Sequence, residues 1–202
     1  MKSVIEHYNQ LIDENNDPVH DPKPLREYMD KWDGEKFIDS MQLDKSKSVL
    51  EIGVGTGRLA IKIAPSCGRF VGIDISPKTV KRAKENLLSC NNIELICDDF
   101  MSFAFDGCFD VIYSSLTFMH IKEKAFAIQK IASLLKAGGL FVLSIDKNQS
   151  DFIDMGTRQI KIYPDNPSDV CHFIANANLE LTDQFETDNA HVIVSKKAAL
   201  IA

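Results

Sequence analysis

From Ser48 onward the chain alternates between short apolar runs and amphipathic stretches of helical period. The runs are SVLEIG (48–53), RFVGIDI (69–75), IELICDD (93–99), FDVIYSS (109–115) and LFVLSID (140–146). Each is short, nearly continuous in apolar residues and rich in β-branched side chains, the pattern of parallel strands buried on both faces. The stretches between them read as helices. RLAIKIAP is stopped by its proline. Ser76 and Pro77 open the next helix with a capping hydroxyl and a first-turn proline. Val80, Ala83 and Leu87 form its apolar stripe, and Ala125, Ile128, Ile131 and Leu135 form that of KEKAFAIQKIASLLKAGG, where Gly138-Gly139 reads as the stop.

Both ends depart from this alternation. After the helix SDVCHFIANA, the runs LELTDQFET and AHVIVSKK flank Asp188-Asn189, which predicts a β-hairpin. Residues 1–45 carry two amphipathic stretches, VIEHYNQLI and PLREYMDKWDGEKFIDSM, separated by the proline-broken loop NNDPVHDPKP. The expected fold class is therefore α/β: a doubly wound, Rossmann-like sheet, mostly parallel, with an antiparallel C-terminal hairpin strand and helices on both faces. The expected organisation is one domain over 1–202, with 1–45 a helical lid and 46–202 the core.

Candidate chemistry begins at VLEIGVGTGRL, a strand, a glycine turn and a helix. Gly53, Gly55 and Gly57 stand where a dinucleotide fingerprint would want its third glycine at 58, the position of Arg58. The P-loop spacing fails at the same place. Acids set the context. Glu51 sits near the mouth of the first strand, where an ionised carboxylate needs a partner. Asp74 ends the second strand about 20 residues on, placed to accept from both ribose hydroxyls. Asp98-Asp99 ends the third. These acids share the carboxyl edge of the sheet, where open α/β folds bind ligands. With Arg58 the only nearby cation, an acidic cleft favours a cationic nucleoside over a dinucleotide.

In order and spacing, VLEIGVGTGRL, GIDIS, ICDDFMSFAF, FDVIYSSLTFMHI and LLKAGGLFVLS resemble the signature segments of class I S-adenosylmethionine-dependent methyltransferases. The resemblance spans about residues 48–146, and the final hairpin matches that family's antiparallel strand. It implies S-adenosyl-L-methionine as cofactor. Gly53, Gly55 and Gly57 would lie against the cofactor's amino-acid end and Glu51 would hold its ammonium. Asp74 would take the ribose, and Ile75 would pack on the adenine. Asp99 and the Phe100 backbone would meet the adenine edge, with Asp98 solvated. Ser114, at the end of the fourth strand, completes the implied cofactor set.

Methyl transfer chiefly needs positioning and exclusion of water, so a catalytic group is optional. His120, in the loop after the fourth strand, is the candidate general base; packing or capping is its plain alternative. Where N-methyltransferases of the family carry Asn/Asp-Pro-Pro-Tyr, this chain has Ser114-Ser115-Leu116-Thr117, which points to a small-molecule acceptor. Tyr8, Tyr28 and Trp32 are expected to wall its pocket, with His7 and His20 adding polar contacts. The segment 146–164 is a second expected wall, with Arg158 there able to pair an acidic substrate.

Composition narrows the field only a little. A net charge of −6 argues against a nucleic-acid partner. The beginning of the sequence reads as neither a signal peptide nor a membrane span. Five cysteines without a C-x-x-C pair suit neither a disulfide framework nor a zinc site, so no metal is expected and the expected location is cytoplasmic. Two other readings stay open: a cofactor-binding regulatory protein that moves no methyl group, and a nicotinamide dinucleotide enzyme. The latter is weakened by Arg58, by Glu51 and by the absence of a separate substrate domain.

Overall fold

The computed structural model of the chain describes residues 3–156 and 158–199. Met1, Lys2 and 200–202, at the outer limits of the expected lid and core, lie outside the described residues. Helices α1 (Val4–Asp13), α2 (Lys23–Met29) and α3 (Gly34–Asp39) precede strand β1 (Ser48–Ile52). Next come α4 (Ala60–Ile63), β2 (Arg69–Asp74), α5 (Pro77–Asn86), β3 (Ile93–Cys97), β4 (Phe109–Ser115), α6 (Lys124–Leu134) and β5 (Leu135–Asp146). A ribbon β6 (Phe152–Asp154) and β7 (Gln159–Lys161), helix α7 (Pro167–Asn176) and strands β8 (Leu179–Glu186) and β9 (Ala190–Lys197) complete the order.

Seven strands form one sheet in the order β3-β2-β1-β4-β5-β9-β8. The five strands from β3 to β5 are parallel, and β9 runs antiparallel to both of its neighbours, β5 and β8. The sheet is doubly wound about β1, whose neighbours are β2 and β4, and this reversal of strand order leaves a crevice at the carboxyl ends. The apolar runs bury both faces. Leu50, Ile112 and Phe141 face a cluster completed by Ile128 and Ile131 of α6 and Val170 and Ile174 of α7. Val49, Val111 and Val142 face the other, with Phe37, Ile63 and Leu87.

Local signals act as the sequence predicts at α5, where Ser76 Oγ accepts from Thr79 N with Pro77 in the first turn. They act differently at Gly138-Gly139. Helix α6 ends at Leu134, and both glycines lie within β5, where the register against β4 shifts between Phe109 and Val111. Gly138 has φ +77, and a Cβ on Gly139 would stand 2.9 Å from Lys136 O, so the pair makes an irregularity in the strand. The helix stops earlier because Leu135 pairs with Phe109 across the sheet. The hairpin turn is also longer by one residue: Thr187 joins Asp188-Asn189, and Thr187 N donates to Ala190 O at 2.9 Å.

The N-terminal helices lie over the crevice and are tied down by polar contacts. Ser3 and Glu6 make a reciprocal capping box that starts α1. Asn9 Oδ1 accepts from Ser76 Oγ at 3.0 Å, and Asp13 pairs Lys78 at 2.6 Å. Buried Asp17 takes Arg82 at 3.1 Å and the amide of Asn86. At the other end, Lys31 O accepts from Thr187 Oγ1 at 2.6 Å and Asn189 N at 3.0 Å, Trp32 O accepts from Ser144 Oγ, and Trp32 Nε1 donates to Asp146 at 3.0 Å.

Candidate active site

A cavity of about 780 Å³ opens between the carboxyl edge of the sheet and helices α1 and α2. The size falls within the roughly 300–1,000 Å³ of small-molecule sites. Its floor is the glycine turn. Gly53 N and Val54 N both reach Ile73 O, at 2.8 and 3.1 Å, which folds the chain back over β2. Gly53, Gly55 and Gly57 have φ of +80, +56 and +97, a region that side chains tolerate poorly. At Gly53 space forbids a side chain as well: a Cβ would meet Thr117 Oγ1 at 1.9 Å. Around Gly55 nothing lies within 4 Å, so its backbone faces open cavity.

The acids lie where strand ends bring them. Asp74 accepts from Gly55 N at 3.0 Å and Ser76 N at 2.9 Å, bracing the turn against the start of α5. Burial raises its pKa, and the backbone donors oppose the rise. Glu51 is only 3 % exposed, and its Oε2 has no hydrogen-bond partner. Burial pushes its carboxyl from the ordinary 4.5 up to about 8, against the pull of Tyr113 and Arg58. Asp98, Asp99, Phe100 and Ile75 also line the cavity. Asp99 Oδ1 accepts from Met101 N at 2.9 Å, which turns the chain after β3.

Arg58 is spoken for. Its guanidinium makes a two-pronged pair with Asp33, with Nη1 3.1 Å from Oδ1 and Nη2 on Oδ2. Asp33 is 2 % exposed, caps α3 through Gly34 N at 2.9 Å and accepts from Ser115 Oγ at 3.0 Å. The sequence does not single out Asp33. It sits just before Gly34 as a helix cap does, but nothing local names its distant cation.

His120 ends a short 3₁₀ turn, Phe118–His120, that follows β4, and it lines the cavity. Its Nε2 lies 2.7 Å from Tyr8 Oη of α1, with the rings edge to face at 5.4 Å. Burial raises the Tyr8 pKa, as does the charge of Asp74. Burial drops His120 to about 4, helped by His7 and Lys124. At neutral pH both groups are uncharged; the imidazole tautomer sets which of them donates across the Tyr8 Oη–His120 Nε2 contact, and buried Nδ1 has no hydrogen-bond partner.

Several expected site residues are placed elsewhere. Ser114 is fully buried and donates to Ile52 O at 2.9 Å; its neighbour Ser115 lines the cavity instead. Tyr28 stands at the cavity mouth, whereas Trp32 is held edge to face beside it and is not part of the lining. Arg158 is engaged by Glu14 at 2.6 and 2.7 Å, away from the cavity. His7 takes Arg158 Nε at 3.4 Å, and His20 meets Asn86 at 3.0 Å, so neither lines the cavity. The segment 146–164 contributes no lining residue among the described ones; its ribbon β6–β7 packs elsewhere, and Tyr163 N donates to Met119 O.

The match to known proteins lies on the same elements. Residues 49–139, from β1 through the β5 glycines, match the methyltransferase-domain family. Over this stretch the chain is similar to S-adenosylmethionine-dependent methyltransferases. The chain is 34% identical over 125 residues to a 2-methyl-6-phytyl-1,4-hydroquinone methyltransferase of Synechocystis, covering 61% of the chain and 37% of that protein. It is 28% identical over 169 residues to a ubiquinone biosynthesis O-methyltransferase of Thiobacillus denitrificans, covering 80% of the chain and 69% of that protein. The chain therefore spans just over a third of the first relative and just over two thirds of the second. Its fold is shared with the N-methyltransferase NodS of Bradyrhizobium japonicum, solved with S-adenosyl-L-homocysteine, at a TM-score of 0.74, 16% identity and coverage of 97% and 99%.

The family's cofactor is S-adenosylmethionine, and the cavity suits it. Glu51 Oε2 is buried without a hydrogen-bond partner, and the acids at 51, 74, 98 and 99 along the lining fit a ligand that carries an ammonium and a net positive charge. Arg58, the cation nearest the turn, is neutralised by Asp33 and leaves no anion site for a pyrophosphate.

Proposed function

We propose that this protein transfers a methyl group from S-adenosyl-L-methionine to a small-molecule acceptor bound beneath the N-terminal helices. The observation that carries the reading is a single cavity that joins the acidic glycine edge to the Tyr8–His120 pair. Glu51 holds the cofactor's ammonium, Gly53, Gly55 and Gly57 let its amino-acid end lie close, and Asp74 takes the ribose. Ile75, Asp99 and the Phe100 backbone receive the adenine. Residues 1–45 act as the lid. The relatives named for hydroquinone and ubiquinone biosynthesis support a small-molecule acceptor. Widely spaced free thiols fit a cytoplasmic location.

The bound cofactor supplies an electrophilic methyl on a sulfonium that departs as a neutral thioether. This chain orients the acceptor, excludes water and handles one proton. As the acceptor atom becomes bonded to carbon its proton grows strongly acidic. That proton passes to Tyr8 Oη while the Tyr8 proton passes to His120 Nε2. His120 is a weak base, but it is fully neutral at pH 7 and therefore always ready to accept. Tyr8 is thereby the nearer contact, with His120 behind it.

Calorimetry with S-adenosylmethionine, S-adenosylhomocysteine and NAD tests the cofactor assignment. Binding of the two adenosyl compounds but not NAD is the expected result. Preferential binding of NAD overturns the reading.

A further inference from the structure

Resting on that reading, we propose that the acceptor is an apolar compound without an anionic group, and that it presents a hydroxyl to the Tyr8–His120 pair. The lid side of the cavity is built from Val4, Leu11, Ile12, Leu25 and Met29, faced across the crevice by Ile121. Two of the large apolar side chains at the mouth are open to solvent: Leu25 is 49 % and Tyr28 52 % exposed. Apolar surface turned toward a cavity gains from being covered by an apolar ligand.

Charge removes the other classes. Among the described residues the cavity is lined by two cations, Arg58 and Lys122. Arg58 is bound by Asp33 and Asp30, and Lys122 is exposed at the rim beside Glu123. A carboxylate or phosphate on the acceptor would enter without a partner, into a space also lined by the acids Asp21, Asp74, Asp98 and Asp99. Desolvating an unpaired anion there is costly. An ammonium fails for a different reason. The acceptor atom must lie in line with a positively charged sulfonium, which repels a second cation, and a protonated amine has no lone pair to offer. A hydroxyl keeps its lone pairs at neutral pH.

The polar end of the pocket fits such a group. Tyr8 Oη lies 2.7 Å from His120 Nε2; in the tautomer that leaves Nε2 bare, Tyr8 donates to it and keeps its oxygen lone pairs free to accept from an acceptor O–H. Asn16 and Asp21 also line the lid side, but the Tyr8–His120 pair is the polar contact that joins the lid to the loop after β4. It therefore fixes where the hydroxyl goes, and the apolar side chains select the body of the molecule behind it.

Three probes of one shape separate the classes: 4-propylphenol, 3-(4-hydroxyphenyl)propanoate and tyramine. Each is titrated calorimetrically into protein saturated with S-adenosylhomocysteine. The neutral phenol is expected to bind at least tenfold more tightly than either charged probe, and Tyr8→Phe is expected to weaken it without changing the affinity for S-adenosylhomocysteine. Equal or tighter binding of the propanoate overturns the exclusion of anions, equal or tighter binding of tyramine overturns the exclusion of an ammonium, and a Tyr8→Phe variant that binds the phenol unchanged overturns the placing of the hydroxyl. Failure of all three to bind, with S-adenosylhomocysteine bound normally, overturns the proposal and leaves the methyltransferase reading standing. Failure of S-adenosylhomocysteine itself to bind overturns both.

Discussion

Glu51→Gln tests how the site trades stability for readiness. Glu51 is buried, has one oxygen unpartnered, and is held as the neutral acid up to about pH 8. In the unfolded chain it ionises near the ordinary 4.5. Between those values the folded protein binds a proton that the unfolded chain has released, so stability falls as pH rises through this window. Below about 4.5 both states are protonated and no penalty exists; above about 8 the penalty is complete. At about 1.4 kcal/mol per pKa unit, the rise from 4.5 to about 8 is worth about 5 kcal/mol. Glutamine keeps the shape and removes the ionisation. The stability advantage of Glu51→Gln over the parent is therefore expected to grow by about 4 kcal/mol between pH 5 and pH 9. Urea unfolding of both proteins at both pH values measures this, and the difference between them cancels the other titrating groups. Asp33, Asp74 and Arg58, which face Glu51 electrostatically, are common to both proteins. An advantage that does not change with pH refutes the reasoning. The same variant should bind S-adenosylmethionine less tightly, because glutamine cannot ionise as Glu51 can when an ammonium is brought beside it.

Other substitutions probe the remaining parts. Asp74→Ala should weaken S-adenosylmethionine binding by about 1–3 kcal/mol, the range for a charged acceptor, and an unchanged affinity in calorimetry would place the ribose elsewhere. His120→Ala should lower turnover while leaving cofactor affinity intact. The parent's turnover should fall on acidification only as pH nears about 4, where His120 protonates; a loss centred at pH 6–7 in a pH–rate profile would contradict the burial-driven shift. Asp33→Ala strands Arg58 in a largely buried position and should destabilise the protein by about 3–5 kcal/mol, read from the urea midpoint. Replacing both by Leu and Met should recover much of that loss.

The strands, the glycine turn and the acids at the strand ends are legible in the sequence because each is fixed by local pattern or by sheet topology. Burial of both faces is what makes β1 to β5 readable, and it also hides which strand residue faces the cavity. Ser114 and Ser115 are indistinguishable by periodicity in a strand buried on both sides, and the structure puts Ser115 on the cavity and Ser114 on Ile52. Arg158 and Trp32 are spent on Glu14 and Asp146, partners more than a hundred residues away that no local signal selects. Gly138-Gly139 resembles a helix stop because sequence carries the glycines' conformational freedom but not the cross-strand pairing of Leu135 that ends α6 first.

The seat of the Lys31–Trp32 turn sets an order of assembly during synthesis. The strands that bear the glycine edge and its acids are all made once the ribosome has passed Ser115. The turn that carries Asp33 and leads into the lid rests on Thr187, which emerges 156 residues after Lys31. A nascent chain can thus form the glycine edge and dock α1 on α5 while the turn is still unseated. The seat of the Lys31–Trp32 turn is the last of the N-terminal contacts to be finished.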